Sequence, residues 1–157
     1  MFRIEALLSA RSFVSPRLVG DKIYFISNLT GHYSLYRMSY GGSVPEPLLP
    51  PHIALMNPHQ TNGKQFQVYP SLGKVLVLLD KDGDETFQPM FVPMEGGFPE
   101  PIFKELEGWQ VFLLASDPDA NLAYFSAGSL TESRYKAYQA NLESGTLELL
   151  REGTYGN

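Results

Sequence analysis

One plan recurs three times in this chain: a pair of apolar strands joined by a polar turn, then a glycine-containing turn and a short further strand. The sharpest echo sets YGGSVPEPL, from residue 40, against EGGFPEPI, from residue 95. The central copy is LGKVLVLLDKDGDETFQPMFVPMEGGFPEPI, from Leu72 on. Its Asp82-Gly83 step between two apolar runs is a hairpin signal, because Gly accepts a positive φ and Asp bonds its own backbone. The first copy reads DKIYFISN, a turn at Leu29-Thr30-Gly31, HYSLYRMSY, a turn at Gly41-Gly42, and SVPEPLL. The third reads NLAYFSAG, a polar turn from Leu130 to Ser133, RYKAYQANL, a turn at Ser144-Gly145, and TLELL.

A chain built from such units must stack them, because one small sheet cannot bury its own apolar faces. The turn glycines Gly42, Gly97 and Gly145 recur at intervals of about 50 residues, near the roughly 40–50 of four-stranded propeller blades. Each unit then needs a leading strand, and candidates stand at residues 12–18, 65–69 and 109–115. The expected fold is all-β: three four-stranded antiparallel β-propeller blades, a partial propeller, with a short N-terminal helix. The spacing places that helix at residues 3–11, blade one at 12–49, a connecting loop at 50–64, blade two at 65–103 and blade three at 109–151.

The helix rests on Ile4, Leu7, Leu8 and Arg11, with Glu5 in its first turn, and Ser15-Pro16 ends it. Lys74 to Leu79, KVLVLL, is apolar on both faces and reads as a strand covered from both sides. Pro89 inside the next strand lacks a ladder donor, so a bulge or a nearby sheet edge is expected there. The segment from Leu48 to Gly63 is broken by Pro50-Pro51 and Asn57-Pro58 and reads as a crossing loop or as disorder. Residues 153–157 read as a loop leading into a further strand.

Composition narrows the function. An aromatic content of 13%, from nine Tyr, ten Phe and one Trp, suits strands. The net charge of −5, with no long basic run, argues against nucleic acid or an anionic membrane surface as partner. With no cysteine there is no disulfide, thiolate nucleophile or Cys-based metal centre. Ala6-Leu7-Leu8 is too short an apolar run for a signal peptide, which points to a cytoplasmic location.

Each candidate for chemistry reads as structure. Asp80, Asp82 and Asp84 match the first three ligand positions of a calcium loop. The required Gly and bidentate Glu are replaced by Glu85 and Phe91, however, so the stretch reads as a solvated turn. His52 and His59 share a Pro-broken loop without a third ligand, and His32 stands apart, so no metal site is expected. There is no G-x-S-x-G elbow, and Gly41-Gly42 and Gly96-Gly97 are turns without phosphate-loop spacing. Asn28-Leu29-Thr30 fits a glycosylation pattern but reads as a hairpin turn, and Trp109 as a packing residue. No catalytic, cofactor-binding or metal residue is assigned, and no cofactor.

Three stretches resemble the N-terminal β-propeller of the prolyl oligopeptidase family of serine peptidases. They are IEALLSARSFVSPRLVGDKIYFISN with LYRMSYGG, the DKDGDETFQPMFVPMEGG hairpin, and SDPDANLAYFS, similar to the S-P-D-G blade opening. Periplasmic propellers such as TolB share the blade repeat. Departures are Leu72-Gly73-Lys74, without the Asp, and Asp119-Ala120-Asn121, without the Gly. In that family the propeller caps an α/β-hydrolase domain that holds Ser, Asp and His, and it filters peptides by size. Some members grip a peptide's amino terminus with acidic residues, but Asp84-Glu85 does not match that motif. The resemblance implies a non-catalytic part of a larger peptidase, its partners being the remaining blades, the hydrolase domain and a peptide substrate. The other expectation is a free-standing binding or scaffold module, in which copies associate to cover the bare faces of the end blades.

Overall fold

The computed structural model describes residues 10–61, 64–80, 83–129 and 131–154. Most of the helix expected at residues 3–11 lies outside these, and Ala10 and Arg11 are irregular. Among the described residues twelve strands form three antiparallel sheets, each with its strands in chain order. The first holds β1 (Phe13–Val19), β2 (Lys22–Ser27), β3 (Ser34–Ser39) and β4 (Glu46–Pro47). The second holds β5 (Phe66–Tyr69), β6 (Lys74–Leu79), β7 (Gln88–Pro93) and β8 (Glu100–Pro101). The third holds β9 (Gln110–Asp117), β10 (Leu122–Ser129), β11 (Arg134–Asn141) and β12 (Thr146–Thr154).

The sheets stack because the middle one is apolar on both sides. Val75, Val77 and Leu79 of β6 join Tyr24, Ile26 and Leu35 of the first sheet in one core. Leu76 and Leu78, pointing the other way, join Val111, Phe125 and Ala127 of the third sheet in a second core. Burying a side chain of this size contributes about 1.5–3 kcal/mol, so the run KVLVLL stabilises both interfaces at once. Alternation along β10 buries Ala123, Phe125 and Ala127 towards the second sheet. Phe112, on the far face of the third sheet, stays 39% exposed.

Pro89 sits opposite Leu78 with no register shift between β6 and β7, so the strand carries no bulge. Leu78 directs its N–H to Gln65 of the β5 side, while the Pro89 carbonyl accepts from Ile102 N. The ring nitrogen therefore faces β8, which ends at Pro101 and requires no donor there. Of the two readings of Pro89, only the sheet edge applies. Gly153 and Thr154, expected in a loop, instead extend β12 opposite Tyr135 and Arg134.

Each of the two echoing glycine turns holds a glycine at positive φ, in different surroundings. Gly42 has φ +94° with open space around it, and Gly96 has φ +92°. A Cβ on Gly96 would stand 3.2 Å from Leu48 Cα, because that turn seats the second sheet on the first. The neighbouring Gly97 N–H donates to the Leu48 carbonyl at 3.0 Å.

Candidate functional site

The segment after β4 is ordered by burial and by hydrogen bonds. Leu48, Leu49 and Leu55 are buried, Leu55 N–H donates to the Tyr33 carbonyl, and the Gln65 side chain donates to the Met56 carbonyl. Asn57 caps a short 3-10 turn at Pro58–Gln60 by accepting from His59 N. Its described residues, 48–61, are packed and hydrogen-bonded.

It forms one wall of a cleft of about 910 Å³ at the β6–β7 end of the second sheet. Leu55 and Met56 face Phe87, just ahead of β7, and Pro89 and Met90 within it, with Pro101 and Phe103 beyond. Pro89 and Pro101 add rigid apolar surface where a strand residue would present an N–H. The polar lining includes His52, Asp80, Glu85, Lys104 and Glu107, three carboxylates against one ammonium. An apolar floor with an acidic surround suits an extended apolar segment that carries a positive charge. Among the described residues that line it there is no Ser, Thr, Tyr or Cys.

Charge at the joint between the first two sheets is organised around Arg37. Its guanidinium lies 2.8 Å from a Glu46 oxygen and 3.7 Å from Glu95, and it donates to the Met94 carbonyl at 3.0 Å. The Glu46 hydrogen bond raises its pKa further above an already high value. Burial raises the Tyr24 phenol, against the lowering effect of its hydrogen bond with Arg37. At the next joint, Tyr69 donates to the Leu122 carbonyl at 2.9 Å, and burial, aided by the negative charge of Asp117, raises its pKa strongly.

The residues weighed from sequence lie in separate parts of the fold. Asp80 accepts from Glu85 N at 3.4 Å and Asp84 from Thr86 N at 2.9 Å, while Asp82 lies outside the described residues. Among the described residues no three His, Asp or Glu gather as a metal site. His52 lines the cleft and His59 does not. Asn28 accepts from Ser12 N at 2.7 Å and donates to the Ala10 carbonyl, so its amide ties the entering chain to the first hairpin. Trp109 packs against the second core, and the Lys136 ammonium stands 4.6 Å over its ring. The cleft was not legible in sequence, because its walls come from segments far apart along the chain. The Pro-rich runs at 50–58 and 99–101 were its only local signal.

No protein-family model and no curated protein matches the chain. Solved structures do. A puromycin-hydrolyzing peptidase from Mycobacterium tuberculosis is similar with a TM-score of 0.68 and 19% identity, over 90% of this chain and 20% of that one. A prolyl endopeptidase is similar with a TM-score of 0.67 and 15% identity, over 94% and 20%. A protein described as a TolB, from Agrobacterium tumefaciens, has a TM-score of 0.60 and 21% identity, over 90% and 46%. The fold is a partial β-propeller. The peptidase propeller that the sequence resembles is thus also what its structure resembles, and this chain spans less than half of each of the three matched chains. The sheets are blades, and β1, β5 and β9 are each an edge strand of one. Among the described residues of this propeller no helix is long and apolar enough to cross a membrane.

Proposed function

We propose that this chain is the propeller part of a serine peptidase of the prolyl oligopeptidase kind, acting in the cytoplasm and making no catalytic contribution of its own. It filters peptide substrates and packs on an α/β-hydrolase domain supplied by the rest of a longer chain. The observation that carries this reading is the match of three consecutive blades, over 94% of this chain, to one fifth of a prolyl endopeptidase. The cleft beside β7 supports it, as an apolar, acid-lined surface on which a peptide is held.

The test is the coding DNA beyond Asn157. An open frame that runs on through a G-x-S-x-G elbow, with Asp and His after it, is the expected result. A stop codon directly after Asn157 overturns the reading. Peptide cleavage by this chain alone, blocked by a serine-directed inhibitor, would overturn the non-catalytic role.

A further inference from the structure

Edge strands of the three blades, β1, β5 and β9, meet at a groove of about 260 Å³. Arg17 of β1, Lys64 just ahead of β5, Gln67 of β5, and Leu114 and Ser116 of β9 line it. Two of the three strands are bulged there. In β1 the register with β2 shifts between Val14 and Arg17, where Ser15 takes φ +53° ahead of Pro16. In β9 the extra residue is Leu114, since Phe125 pairs with Leu113 and Tyr124 with Ala115. Bulges re-aim side chains and free carbonyls from the ladder. Both effects converge on this groove: Arg17 directly follows one bulge, and the Leu114 carbonyl of the other accepts from Lys64 Nζ at 2.9 Å.

The donor count is one-sided. Ser116 donates to Gln67 Oε1 at 3.2 Å and Gln67 Nε2 to the Val68 carbonyl, so the Ser116 hydroxyl hydrogen and one of the two Gln67 amide hydrogens are used in tying β9 to β5. Lys64 uses one of its three N–H groups. Arg17 forms no ion pair among the described residues. No carboxylate among the described residues lines the groove, in a chain whose net charge is −5. We propose that this groove is a binding site for an anionic oxygen group, a carboxylate or a phosphate, held between the Arg17 guanidinium and the Lys64 ammonium. Planar guanidinium donors match both groups in a forked geometry, and the fixed ammonium adds a point charge.

The experiment is an NMR titration of the ¹⁵N-labelled chain with three probes: inorganic phosphate, acetyl-dialanine as the free acid, and acetyl-dialanine amide. Sodium chloride at matched ionic strength is the blank. The expected result is a saturable shift of the backbone amides at 64–67 and 113–116 with an anionic probe, and none with the amide. Saturation by phosphate alone assigns a phosphate ligand, and saturation by the free acid assigns a peptide carboxylate. Arg17→Gln and Lys64→Gln each weaken binding by about tenfold, the scale of one charge-assisted hydrogen bond. Ser116→Ala leaves binding unchanged, because that hydroxyl is already used. Shifts that follow the sodium chloride blank mean an adventitious ion only and overturn the proposal. So does a lack of saturation with both anions, or an Arg17→Gln chain that keeps its fingerprint spectrum and binds like the parent.

Discussion

The guanidinium of Arg37, on β3 of the first blade, donates to the main-chain carbonyl of Met94, just past β7 of the second, at 3.0 Å. Two blades are thus joined by a charged side chain whose surface is only 17% exposed. Glu46, its carboxylate neighbour, is 62% exposed and well solvated.

Arg37→Ala should therefore lower stability by roughly 1–3 kcal/mol, because it leaves the Met94 carbonyl and the Tyr24 hydroxyl without their partner. Glu46→Ala should cost less than about 1 kcal/mol, as expected for an ion pair open to water. Urea unfolding of both variants checks the ranking. Equal losses would mean that the carboxylate, not the inter-blade contact, carries the joint.

Gly42→Ala and Gly96→Ala separate backbone strain from blade contact. Both positions hold a positive φ, which costs an L-residue about 1–2 kcal/mol. Only at Gly96 does the added methyl also press on the Leu48 backbone. Thermal melts should place Gly96→Ala clearly below Gly42→Ala, and matching melting temperatures would show that the second turn does not bear on the first blade.

The buried phenols predict an alkaline weakness. Tyr69 and Tyr24 both have raised pKa values in the folded chain, so folding favours their neutral form. Their contribution is complete below the unfolded value of about 10 and declines as pH climbs above it, since the unfolded chain then ionises and the folded chain resists. Stability measured from pH 8 upward should hold until about pH 10 and then fall. Tyr69→Phe should cost about 1 kcal/mol at neutral pH for its lost bond to Leu122 and should flatten the alkaline decline.

Calcium should leave the melting temperature unchanged relative to a chelator. Asp80 and Asp84 already accept main-chain N–H groups of their own turn. A saturable rise with calcium would show that the turn rearranges to hold the ion.

Much of the fold is local chemistry and can be read in order along the chain. Asp-Gly and Gly-Gly steps permit positive φ, the run from Lys74 to Leu79 is apolar on both faces, and the spacing of turns sets the length of each blade. These signals act over a few residues, so the sequence determined twelve strands in three units and the polarity of each face. Even within that range the edges moved: Thr86 and Phe87 stay outside β7, and β12 runs on through Gly153.

What one blade meets on the next was decided only by the tertiary structure. Gly42 and Gly96 share a motif and a φ, yet only Gly96 touches another sheet. Nothing near Arg37 in the sequence names Met94 as its partner, and nothing places Arg17 beside Lys64 or the Pro50–Pro58 segment across from β7. The physical reason is that hydrogen bonding within a hairpin is set by neighbours along the chain. Contacts between blades depend on how whole sheets pack, and side chains far apart in sequence settle that together.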